Sequence, residues 1–201
     1  MAFSRSKARL KIAITGHSKG IGKSIFDLLS KQHDCIGFSR SNGYDISKNT
    51  DKIIEKSKNC DVFINNAYQD LNQVVLFDKL FELWKDDNTK QIINIGSKSK
   101  YYPFNDEQPQ LRKDKRSSKS YNDNKKSITH SIYSKQMYLI KKCKIITIHP
   151  GYTKTDFIKH HWDKINMINP DDVAEIIKWI ITLPKHIEIG ELGVWHPTEI
   201  E

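Results

Sequence analysis

No apolar stretch in this 201-residue chain approaches the roughly 18 residues a membrane-spanning helix needs, so none is expected. Cysteine is scarce. Cys35, Cys60 and Cys143 lie far apart and form no CxxC pair, which argues against both a disulfide framework and a zinc site. They read as small hydrophobes flanking strands, and a reducing, cytoplasmic compartment is the expectation. The opening MAFSRSKARLK has no apolar segment ahead of its cations, so no secretory signal is expected. His17, His149, His160 and His161 show no ligand spacing, and no metal is expected. Arginine supplies only five of the 33 basic residues. Specific nucleic-acid contacts favour arginine, so the net charge of +9 is poor ground for a nucleic-acid partner.

That charge is localised. Residues 1–11 carry Arg5, Lys7, Arg9 and Lys11 with no acid. Residues 112–126 carry seven cations against Asp114 and Asp123, and together the two segments account for the whole excess. With 37% hydrophobic residues the chain can fill the core of one domain, and it is too apolar to be disordered. One domain over 1–201 is therefore expected, with a basic N-terminal extension at 1–9.

Two kinds of apolar pattern alternate. Short β-branched runs occur at Leu10–Thr15, Cys35–Phe38, Val62–Asn65, Gln91–Ile95, Lys144–His149 and Ile187–Trp195. Helix-period segments separate them, with faces such as Ile21, Ile25, Leu28 and Leu29, or Val173, Ile176, Ile177 and Ile180. The alternation predicts an α/β fold, a Rossmann-type doubly wound parallel sheet in three layers. Residues 98–120 break the pattern. They contain Pro103, Pro109 and a Lys/Arg/Ser run, show no period, and read as a long basic loop joining a strand to a helix.

Thr15-Gly16-His17-Ser18-Lys19-Gly20-Ile21-Gly22 follows the first strand and opens the first long helix. Glycines there let the backbone approach a pyrophosphate, and the helix N-terminus offers it free N–H groups. This TGxxxGIG pattern resembles that of the short-chain dehydrogenases/reductases, and further matches follow in family order. Asn65-Asn66-Ala67 resembles the family's NNA, and Ile93-Asn94-Ile95-Gly96-Ser97 ends where the family places its serine. Pro150-Gly151-Tyr152-Thr153-Lys154-Thr155-Asp156 resembles PGxxxTD, and Asn169-Pro170-Asp171-Asp172-Val173-Ala174 resembles SPEDVA.

The resemblance implies a nicotinamide cofactor held by Gly16, Ser18, Lys19, Gly20, Ile21, Gly22, Ser39, Arg40, Asp45, Ile46, Asn65, Asn66, Ala67, Lys125, Pro150, Gly151, Thr153 and Thr155. Asp45-Ile46 corresponds to the element that lies against the adenine. Arg40 stands where an acidic residue would bind the ribose 2′-hydroxyl of NAD. With Lys19, it points to NADP in preference to NAD.

The family's acid/base pair is Tyr-x-x-x-Lys, and two placements compete: Tyr121 with Lys125, or Ser131 with Lys135. Between Lys125 and Pro150 lie 24 residues, room for the rest of a helix and a strand; beyond Lys135 only 14 remain. Tyr121 and Lys125 are chosen on that ground. The resemblance then implies Ser97, Tyr121, Lys125 and Asn72 as the catalytic set, acting on a small carbonyl or alcohol substrate. A nearby ammonium is expected to favour the phenolate of Tyr121. The family also implies a homodimer or homotetramer packed through two helices, here about 71–86 and 121–142. On the first, Val74, Val75, Phe77, Leu80, Phe81, Leu83 and Trp84 occupy more than one stripe, and Phe77 and Phe81 are expected to face the partner copy. A non-catalytic NADP-binding regulator is the alternative function, and a nucleic-acid-associated protein a more remote one.

Overall fold

The computed structural model describes residues 9–101, 115–161 and 166–198. Within them, six strands form one sheet: β1 Lys11–Thr15, β2 Asp34–Phe38, β3 Val62–Asn65, β4 Gln91–Ile95, β5 Lys144–Pro150 and β6 Glu191–Val194. Their order is β2-β1-β3-β4-β5-β6, and every pairing is parallel. Among the described residues, five α-helices connect them: α1 Gly20–Leu29, α2 Thr50–Ser57, α3 Asn72–Trp84, α4 Lys115–Gln136 and α5 Pro170–Ile180.

The near-continuous apolar strands follow from burial on both faces. Ile12, Ile14, Val62, Ile64, Ile93, Ile95, Ile146 and Ile148 pack with Ile25 and Leu29 of α1 and Val173, Ile177 and Ile180 of α5. The alternate residues Ala13, Phe63, Ile92 and Ile145 pack on the other face with α2, α3 and α4. The chain leaves β1 in one direction to form β2, then returns past it to form β3. The order reverses there, so a crevice opens at the carboxyl ends of β1 and β3, the position where doubly wound sheets bind ligands. At α5, Asn169 and Asp172 cap each other's backbone and Pro170 opens the helix, which fixes its start.

The structure corrects two expectations. The segment 98–120 is not one loop. Lys98–Tyr101 form a 3-10 turn, 102–114 lie outside the described residues, and α4 is already helical from Lys115. Lysine and arginine are good helix formers without supplying an apolar period, so periodicity missed these turns. The basic residues 1–8 also lie outside the described part.

The second correction concerns α3. Phe77 and Phe81 do not face outward; with Leu76, Leu80 and Trp84 they are fully buried. The helix lies over the sheet between α2 and α4, so its apolar stripe is wide because it is covered on three sides. Val75 and Leu83 remain exposed, at 45% and 51%.

Phe81→Ala should therefore cost about 3–5 kcal/mol of unfolding free energy, while Leu83→Ala should change it by less than about 1 kcal/mol. Denaturant melts of the two variants check this.

Candidate active site

The glycine turn is locked to the end of β3. Asn66 and Ala67 donate their N–H groups to Thr15 Oγ1, both at 3.0 Å, and Asn66 Nδ2 donates to the Thr15 carbonyl at 3.0 Å. Gly16 has φ +71°, and a Cβ there would come within 2.7 Å of Asn66 Nδ2. A Cβ on Gly22 would overlap the Gly16 carbonyl and the Asn66 amide. Only glycine fits either place. No side chain caps the start of α1, so the first N–H groups of that helix are left without a side-chain acceptor. Ser18 and Lys19 are exposed in the turn, Gly20 and Ile21 partly so. The Thr155 side chain lies against Gly20, which brings the segment after β5 onto the same helix start.

The Gly16 N–H donates to the Phe38 carbonyl at 2.7 Å, placing the end of β2 beside the turn. Ser39 is buried there in a capping box with Asn42, and Arg40 is exposed. Pro150 closes β5. Gly151 donates its N–H to Val194 at 2.7 Å, and the Thr153 hydroxyl donates to the Gly151 carbonyl at 3.1 Å.

At the end of β4, the Ser97 hydroxyl stands beside the Tyr121 phenol and draws its pKa down. Ser97 Oγ accepts from the Ser99 hydroxyl at 2.8 Å and the Ser99 N–H at 3.2 Å, which leaves its own proton for the phenol oxygen. Lys125, one helical turn beyond Tyr121, is buried, and its Nζ donates to Gln73 Oε1 at 3.1 Å and to the Ile95 carbonyl at 3.3 Å.

The electrostatics differ from the expected phenolate. Burial pushes the Tyr121 phenol up to about 12, against the Ser97 hydrogen bond that lowers it. Burial also pushes the Lys125 amine down to about 7. The lysine is thus close to losing its charge at neutral pH, and the tyrosine keeps its proton. His149, buried behind Gly96, is held down to about 4 by burial and by Lys100, and is neutral at neutral pH.

Three sequence-chosen residues do not present their side chains to the crevice. Asn72 turns to the Gln69 carbonyl at 3.2 Å, at the start of α3, because the tight turn before the helix fixes it there. Asn65 is buried, donating to the Gln73 carbonyl at 3.0 Å and to Asn94 Oδ1 at 3.1 Å, so it ties β3 to β4 and α3. Ile46 is 4% exposed and packs in the α2–α3 side of the core. Its neighbour Asp45 accepts from the Ser47 N–H at 2.9 Å and hydroxyl at 2.7 Å, which lowers its pKa.

Sequence reasoning missed Gln73, which adjoins Asn72. Besides accepting from Lys125, it donates to the Asn65 carbonyl at 2.9 Å and the Ile95 carbonyl at 3.0 Å. A lone polar residue among apolar ones on the inner face of a helix was the available signal.

Among the described residues no group of three His, Cys, Asp or Glu could hold a metal ion, and no helix is long and apolar enough to cross a membrane. A cavity of about 470 Å³ lined by Arg9, His33, Cys35 and Cys60 opens at the amino ends of the strands, away from these residues.

The buried Lys125 amine makes stability depend on pH. Its folded pKa, near 7, lies below the usual lysine value. Between the two, the unfolded chain binds more protons, so stability rises with pH. The unsubstituted protein should gain on Lys125→Met from pH 7 to 10, by up to about 1.4 kcal/mol per pH unit. Paired melts across that range measure it; parallel curves would contradict it.

No protein-family model matches the chain, and no curated protein does. Solved structures do. A serine dehydrogenase complexed with NADP+ superposes with TM-score 0.73 at 18% identity, over 96% of this chain and 97% of that one. The 3-ketoacyl-(acyl-carrier-protein) reductase of Brucella melitensis, complexed with NADH, gives 0.72 at 19%, over 92% and 96%. The alcohol dehydrogenase of the archaeon Thermococcus sibiricus, complexed with 5-hydroxy-NADP, gives 0.70 at 17%, over 96% and 99%. At these identities the likeness is one of architecture: this chain has the fold of the short-chain dehydrogenases and reductases.

Proposed function

We propose that the protein is an NADP-dependent oxidoreductase that interconverts a carbonyl and an alcohol. The observation that carries this reading is the juxtaposed Ser97–Tyr121 pair, with Lys125 one turn along the same helix, at the carboxyl end of β4. The crevice fits a dinucleotide: two glycines admit close backbone approach, and the uncapped start of α1 suits a pyrophosphate. Gly16, Ser18, Gly20, Ile21, Gly22 and Thr155 would hold that end. Asn66 and Ala67 would form the floor, Pro150, Gly151 and Thr153 one wall, and Lys125 would serve the second ribose.

When bound in this crevice, NADPH would supply a hydride to the substrate carbonyl carbon. Tyr121, kept protonated by burial, gives its proton to the carbonyl oxygen. The Ser97 hydroxyl donates to that oxygen as negative charge develops on it, oriented by the two Ser99 donors. A phenol that holds its proton is suited to reduction at neutral pH. Gln73 replaces Asn72 in this account, as the side chain that positions Lys125.

Arg40 and Lys19, both exposed beside the crevice, support NADP over NAD because a guanidinium and an ammonium suit a 2′-phosphate. NADPH should bind more tightly than NADH by about 1–3 kcal/mol. Tyr121→Phe should abolish carbonyl reduction and leave NADPH affinity within about twofold, because the phenol acts on the substrate. Titration with both cofactors, and turnover with a panel of carbonyl compounds, test the reading. Equal affinities would remove the NADP preference, and an active Tyr121→Phe would remove the acid.

A homo-oligomer accords with the exposed apolar residues Val75 and Leu83 on α3, Tyr133 on α4, and Leu139 and Ile140 after it. Sedimentation should show a dimer or tetramer that Leu139→Glu with Ile140→Glu dissociates; a monomer at high micromolar concentration would overturn it.

A further inference from the structure

We propose that Tyr68 is a gate over Lys125, and that its ring must swing aside before any ligand hydroxyl can reach the ammonium. This rests on Lys125 being a ligand-binding group, as read above. The Tyr68 ring centroid lies 4.7 Å from Lys125 Nζ, and the ring meets Tyr121 edge-on at 5.0 Å. Lys125 is 2% exposed. Two of its donors point inward, to Gln73 Oε1 and the Ile95 carbonyl, and the ring covers it from another side.

The lysine cannot move out instead. It sits on a helix whose next turns bury Ile128 and Ile132 in the core. The ring, by contrast, belongs to a short strap between β3 and α3. Upstream, Asn66 and Ala67 are clamped to Thr15 Oγ1. Downstream, Asn72 donates its N–H to the Gln69 carbonyl at 3.0 Å. A ligand running from the glycine turn to the Ser97–Tyr121 pair would pass over this strap.

A polar latch adds to the ring's packing against the core. Asn124 Nδ2 donates to the Tyr68 hydroxyl and to Asp70 Oδ1, each at a long 3.3 Å. Asp70 has φ +46°, a left-handed conformation that a residue with a Cβ adopts at a cost. Two long hydrogen bonds, the ring's packing against the core and its edge contact with Tyr121 thus hold shut a strap that contains a strained residue, while the covered amine is fixed from behind. A ribose hydroxyl would replace the ring's cation–π contact with a hydrogen bond.

The test reads access to Lys125 directly. Trinitrobenzenesulfonate modifies amines, and peptide mass spectrometry reports the rate at Lys125 alone. At pH 9, Tyr68→Ala should raise that rate at least tenfold, and it should speed NADPH association measured by rapid mixing. Asn124→Ala, which removes the latch but keeps the ring, should give a smaller rise; it also serves if Tyr68→Ala does not fold. Equal Lys125 labelling in the folded variants and the unsubstituted protein overturns the gate. Faster labelling without NADPH uptake by any of them upholds the gate and overturns the cofactor reading.

Discussion

A buried amine governs the centre of this molecule. Lys125 has left water, and an amine in that position must find partners or lose its proton. Its position therefore depends on Gln73, which spends its amide on three neighbours: Lys125 on α4, the end of β3 at Asn65 and the end of β4 at Ile95. Those bonds set α3 against the sheet and α4 against α3. Tyr121 and Ser97 meet because α4 is held there. The strap carrying Tyr68 then lies where the same lysine faces the crevice.

The site thereby has two halves of different character. The glycine turn is built from backbone, locked by Thr15, Asn66 and Ala67, and specific only in its geometry. The Ser97–Tyr121–Lys125 half is built from side chains, and burial sets the protonation of Tyr121 and Lys125. The first suits recognition of a constant anionic group, and the second suits proton transfer to a variable one. Reversal of strand order at β1 and β3 leaves the crevice between them open.

Much of the fold was legible in the sequence because the strands are buried on both faces and so appear as uninterrupted apolar runs. Val62–Asn65 and Gln91–Ile95 agree with the expectation to the residue. The start of α4 was not legible, since its first turns carry lysine, arginine and serine with no apolar stripe. The wide stripe of α3 was visible, but its meaning was not: Phe77 and Phe81 could face a partner or the core until α2 and α4 were placed on either side.

Within the site, motif spacing brought out Ser97, Tyr121 and Lys125, which the fold does bring together. It could not separate Asn72 from Gln73, because one residue of helix rotation decides which of two adjacent amides points inward. The state of the Tyr121 proton was also hidden, since spacing reports a nearby amine but not the loss of water around it.

A crystal structure of the protein with NADPH tests the central claim most directly. The account predicts the pyrophosphate at the start of α1, a ribose hydroxyl on Lys125 Nζ, and Tyr121 beside the nicotinamide. A dinucleotide bound away from the glycine turn, or one that leaves Lys125 and Tyr121 untouched, would contradict it.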